Sequence, residues 1–163
     1  MTFDGRSDRA YAVATLENGM RVVLVPDHDS DLSHVHLFLR NGQDQETHPA
    51  DRECTHLLEH MNALFTSGAH PDAEALLERL ASRGCDMTAS VNQSATTMWM
   101  ETTRANGPEF LRIFLNALFD FRLDLARYAQ EQNAVVEELV AILNDTWSDV
   151  HSSVYSCLYA DHP

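Results

Sequence analysis

The sequence predicts one domain in which strand pairs alternate with helices, and three observations carry that reading. Its 163 residues are 44% hydrophobic, enough apolar material for one substantial core. Two alternating, strand-like segments are each divided by a turn signal, Asn18-Gly19 in the first and Asn92-Gln93-Ser94 in the second. Around them run stretches with apolar residues three and four apart, the period of a helix.

Each element can be justified in order. Residues 11–16 and 20–25 flank Glu17-Asn18-Gly19, and Asn-Gly is the strongest short hairpin signal. Residues 33–40 then alternate, with Val35, Leu37 and Leu39 on one face and His34, His36 and Phe38 on the other. A loop over 41–47 leads to Pro49, suited to a helix's first turn, and a helix is expected to run to about Phe65 before Gly68 breaks it. Pro71-Asp72 opens a second helix, closed near Gly84. Residues 85–91 and 95–101 read as a strand pair, with Trp99 in the core or on a sheet face. Gly107-Pro108 precedes an apolar helix over 110–121, a long helix follows over 123–143, and an amphipathic helix over 147–159 ends the pattern.

Charge and composition exclude several classes. A formal net charge of −14 argues against nucleic acid as the main partner, since phosphate backbones need clustered Lys and Arg. It suits basic or neutral peptides, and equally an acidic surface that serves solubility. The first ten residues are polar with no signal-like apolar run, and no stretch approaches a membrane span. Cys54, Cys85 and Cys157 are too few and scattered for a disulfide framework, so a reducing cytoplasm is the simplest setting.

The stretch that carries chemistry is His56-Leu57-Leu58-Glu59-His60. Residues four apart on a helix share a face about 6 Å apart along the axis, so two imidazoles can converge on one ion. Glu59 lies near that face, placed to act as a base on water. This is the inverted zincin pattern, His-x-x-Glu-His. Its structural alternative is a core helix on which Leu57, Leu58, Met61, Leu64 and Phe65 pack while the histidines are ordinary polar residues. His34 and His36 could also bind metal from one strand face, but they read better as half-exposed strand residues without acidic neighbours in sequence.

A catalytic zinc needs a third protein ligand and one position left for water. The long helix offers Glu131, Ala134, Glu138 and Ala141, spaced three, four and three on one stripe. The alanines would let a second helix approach closely. The stripe favours Glu138, with Glu137 about 100° round the axis, although spacing alone leaves Glu137 as an alternative. Glu131, about 10 Å back along the axis, suits a supporting role. A solvated acidic face is the competing structural explanation.

On these residues the chain resembles the N-terminal zinc-binding domain of the pitrilysin/insulinase metallopeptidases, the group that includes the mitochondrial processing peptidases. The likeness extends from Thr15-Leu16-Glu17-Asn18-Gly19 through the His56 to His60 motif and Met61 to Ala89, Glu131 and Glu138. It implies an α+β fold, a mainly antiparallel sheet flanked by helices, forming half of a domain pair. It implies Zn2+ held by His56, His60 and Glu138, Glu59 as general base and Glu131 as supporting carboxylate. Peptide substrate would add as a strand along Met87, Thr88, Ala89, Ser90 and Val91.

Three departures accompany the likeness. Thr88 stands where the family often has Asn, a glycine usual before the motif is replaced around Arg52-Glu53, and the segment from Phe65 to Gly68 is altered. The expected function is zinc-dependent endopeptidase activity, completed by a second related domain or subunit because residues 1–163 read as an unfinished pitrilysin-like domain. The rival is a non-catalytic peptide-binding or scaffold subunit supporting an active partner, for which Glu59 between two histidines would have no chemical use. A structural zinc closed by His48 or His70 is a third reading.

Overall fold

The computed structural model describes residues 11–159; residues 1–10 and 160–163 lie outside them. Two compact units are present, one up to Asp31 and one from Leu32 onward. The first contains β1 (Ala12–Thr15) and β2 (Arg21–Leu24), paired antiparallel as the Asn-Gly signal predicts. Gly19 takes φ +83°, a backbone state that glycine enters without a Cβ clash, and its N–H donates to the Leu16 carbonyl at 2.9 Å.

The second unit is built on a three-stranded antiparallel sheet of β3 (Leu32–Leu39), β4 (Cys85–Val91) and β5 (Thr96–Thr103), in the order β3-β5-β4. Its register sorts the side chains by period two. Val35 opposes Met100 and Leu37 opposes Met98, while Met87 and Ala89 face the same two methionines from β4. Met98 and Met100 are buried in the main cluster with Phe65, Leu76, Leu80, Phe110, Ile113 and Phe114. The helices are α1 (Cys54–Ala63), α2 (Ala73–Ser82), α3 (Gly107–Phe119), α4 (Tyr128–Leu143) and α5 (Thr146–Leu158). The observed architecture is thus the expected α+β one, antiparallel sheets with helices packed against the three-stranded one.

Several boundaries move for identifiable reasons. Pro49 begins a separate 3-10 turn, Pro49–Asp51, because Glu53 adopts φ +64° and interrupts the helical path before α1. At the other end α1 stops at Ala63, since Phe65, not Gly68, takes the left-handed conformation at φ +52° and turns its ring into the core. Residues 123–127 do not join α4: Asp124 accepts from the Ala126 N–H at 3.0 Å, a local turn that competes with helix. Asp72 caps α2 as a conventional N-cap, accepting from Ala75 N at 3.1 Å.

One loop positions the motif helix. Gly42 lies so close to the β4–β5 turn that a Cβ would stand 2.5 Å from the backbone of Ala95 and Gln93. With no side chain there, the N–H groups of Gln43 and Asp44 donate to the carbonyls of Asn92 and Gln93 at 3.1 and 2.8 Å. The loop leaves this anchor and delivers Glu46 to the start of α1. There its carboxylate accepts from Glu53 N at 2.9 Å and Thr55 N at 2.6 Å. Two otherwise unpaired donors of the helix N-terminus are satisfied from outside the helix.

Candidate metal centre

The helical period places His56 and His60 on one face of α1, their ring centroids 4.9 Å apart. The face is turned toward α4. His56 Nε2 lies 3.3 Å from one oxygen of Glu138, and His60 Nε2 lies 3.4 Å from the other. Both imidazoles also have a carboxylate behind them. Glu53 Oε2 is 3.1 Å from His56 Nδ1, and Glu131 Oε2 is 3.4 Å from His60 Nδ1. With a cation between the rings and Glu138, the carboxylate at each Nδ1 would favour the tautomer that carries its proton there and leave Nε2 as a lone-pair donor.

These separations suit a tetrahedral ion. Ligands about 2.0–2.1 Å from zinc stand roughly 3.3–3.4 Å from one another at tetrahedral angles. The gaps from each Nε2 to Glu138 match that edge. A second grouping also exists, because ligand atoms of His56, Glu59 and His60 all lie within 4.8 Å of one another. Glu138 reaches the two imidazoles from α4, whereas Glu59 shares their helix. Glu138 is half exposed, whereas Glu59 is 92% buried with a relative exposure of only 8%. Burial pushes the Glu59 carboxyl above its usual range, the adjacent imidazoles of His60 and His56 oppose this, and the charge of Glu138 adds to the rise. A carboxylate so raised is a stronger base.

At the entrance to α1, burial alone would raise Glu46, but the N–H groups of Thr55 and Glu53, with the Thr55 hydroxyl and nearby His56, outweigh it and lower its pKa. Glu46 therefore holds its charge at the positive end of the helix dipole. The site's other neighbour is β4, which packs against α1 and forms one edge of its sheet. Met87, Ala89 and Val91 turn toward the core side, opposite Met100, Met98 and Thr96, while Thr88 and Ser90 oppose Trp99 and Thr97 on the other face.

The remaining predicted ligands stand elsewhere. His48 Nδ1 accepts from Ala50 N at 3.1 Å in its own 3-10 turn. Among the described residues, no cluster of three or more metal-ligating groups includes His48 or His70. On β3, His34 does have an acidic neighbour, one invisible in sequence: Glu101, its cross-strand partner, lies 3.2 Å from Nδ1. His36 stacks between His34 and Trp99, so these rings form a sheet-face ladder. Sequence reasoning missed Glu46 and Glu53 as parts of the centre. Glu53 carried a usable signal, standing three residues before His56, but Glu46 is tied in only by the loop's path.

An α+β domain with two helices that hold histidines and carboxylates around one point, beside an open strand edge, defines the class of the protein. The family model for insulinase, peptidase family M16, matches residues 21–163, and the chain belongs to that family. Protease 3 of Escherichia coli (strain K12) and that of Shigella flexneri are each 31% identical to it over 134 residues, 82% of this chain and 14% of theirs. The chain thus spans about 14% of the length of the curated relatives it matches. A crystal structure of pitrilysin superposes with a TM-score of 0.75 at 30% identity, covering 84% of this chain and 14% of that one. A protease from Helicobacter pylori shares the fold at a TM-score of 0.70 and 24% identity, covering 80% and 30% of the two chains.

Proposed function

We propose that this chain is the metal-bearing portion of a zinc-dependent endopeptidase. The observation that carries the reading is the convergence of His56 Nε2, His60 Nε2 and the two Glu138 oxygens at 3.3 and 3.4 Å. His56, His60 and Glu138 would hold the ion, with Glu131 orienting His60. Zinc bound there supplies a Lewis acid that polarises the scissile carbonyl and acidifies water.

The chain's own residues do the rest. Glu59, made more basic by burial, takes the proton from the attacking water and holds it on its carboxylate. It then delivers that proton to the leaving amine nitrogen as the peptide bond breaks. The peptide lies along β4 as an added strand, where Met87, Thr88, Ala89, Ser90 and Val91 offer backbone pairing and alternate side-chain contacts. Backbone pairing supplies affinity with modest sequence selectivity. A second related domain or a partner subunit completes the binding surface, a reading supported by the small fraction of each relative that this chain covers. No described helix is long and apolar enough to cross a membrane. Three free cysteines favour a reducing, cytoplasmic setting.

The test is hydrolysis of a quenched-fluorescence peptide library by the zinc-loaded chain beside Glu59→Gln. We expect cleavage to fall by roughly 10²–10⁴ in the variant, with zinc still bound. Cleavage at the wild-type rate would remove Glu59 from the mechanism. A folded, zinc-loaded chain that cleaves nothing would instead indicate that the partner is required, or that the chain supports an active subunit.

A further inference from the structure

Glu53 is an unexpected residue for its backbone. At φ +64° and ψ 7° it occupies the left-handed region, where glycine is at ease and a glutamate side chain is strained. The conformation is nevertheless pinned, because Glu46 accepts from Glu53 N and Thr55 N through separate oxygens at 2.9 and 2.6 Å. Strained residues persist where the surroundings over-determine them. What glutamate provides here, and glycine cannot, is a carboxylate. That carboxylate lies 3.1 Å from Nδ1 of His56, and the imidazole is only 15% exposed.

We infer that Glu53 is a positioning residue for the metal centre: its strained turn aims a carboxylate at His56 Nδ1, fixing the ring's rotation and tautomer so that Nε2 faces the ion. This rests on the zinc reading above and deepens it. Glu53 thereby does for His56 what Glu131, at 3.4 Å from Nδ1, does for His60. The two arrive by different routes. Glu131 comes from α4 across the helix interface, while Glu53 comes from the turn that starts α1, so one histidine is oriented within its own element. The bland alternative is an acidic residue placed near a helix N-terminus for the dipole, its contact with His56 incidental.

The two readings part on Glu53→Gly. Glycine relieves the backbone, so the metal-free variant should melt no lower than the wild type. Its zinc affinity, measured by competition with a chromophoric chelator, should nonetheless fall by about 10–100-fold, as is usual when an outer carboxylate is lost. Glu53→Gln keeps an acceptor oxygen without the charge and should lose less. Nitrogen-15 chemical shifts of His56 in a metal-free Glu138→Ala background, which removes the carboxylate 3.3 Å from Nε2, give a readout independent of zinc. That background should show the Nδ1–H tautomer, and the same background with Glu53→Gly a mixture. Wild-type zinc affinity and an unchanged His56 tautomer in Glu53→Gly would overturn the inference. If the wild type itself binds no zinc, the zinc reading fails, and the His56 tautomer still decides whether Glu53 orients the ring.

Discussion

Glu137 and Glu138 are adjacent, acidic and exposed, yet only one of them reaches the centre. Successive side chains on a helix diverge by about 100°, and that angle directs Glu138 to both imidazoles while Glu137 stays on another face. Glu138→Gln should therefore weaken zinc binding by more than the roughly 10–100-fold typical of a supporting residue. Glu137→Gln should leave it unchanged. Isothermal titration of both variants separates them, and equal losses, or a larger loss for Glu137→Gln, would mean the third ligand is misassigned. The short supporting contacts matter at the same scale, because an imidazole free to rotate or to change tautomer presents Nε2 only part of the time.

At the scale of elements, the helix that carries His56 and His60 is anchored at its end by α3. Phe65 ends α1 in a left-handed turn that sends its ring against Phe114 of α3, with centroids 6.3 Å apart. Both rings are fully buried, at 0% exposure, so neither can be trimmed without leaving a void. Phe114→Ala should lower the free energy of unfolding by about 3–5 kcal/mol, the usual loss for a buried phenylalanine. Urea denaturation should show a reduced midpoint at unchanged slope. A loss well under that range would show that the core closes around the missing ring and that α3 is a looser support than its burial suggests.

For the molecule as a whole, 25 acidic residues against 11 basic ones give a net charge of −14, and self-repulsion opposes the folded state. Some local order resists this: Arg79 and Arg83 both bind the Glu109 carboxylate, at 2.6 and 2.8 Å. Those pairs are exposed and contribute little individually. Raising ionic strength from about 0.01 to about 0.15 M shortens the Debye length from about 30 to about 8 Å. The melting temperature of the metal-free chain should rise by a few degrees over that range. A flat or falling melting temperature would mean that local ion pairs outweigh the net repulsion.

The sequence by itself determined whatever repeats over a few residues. Helical period put His56, Glu59 and His60 within reach of one another, Asn18-Gly19 specified a hairpin, and alternation put Val35, Leu37 and Leu39 on one face of their strand. It also singled out Glu138 and Glu131 as one stripe of a long helix, because that too is a statement about a single helix. Only the tertiary structure decided that this stripe meets the histidines, that β5 lies between β3 and β4, and that Glu101 sits beside His34. It alone revealed the strained turn at Glu53 and the Glu46 carboxylate beneath it. The physical reason is range: periodicity is written in neighbours three or four residues apart, whereas these contacts depend on how separate elements pack and on where an irregular loop must run.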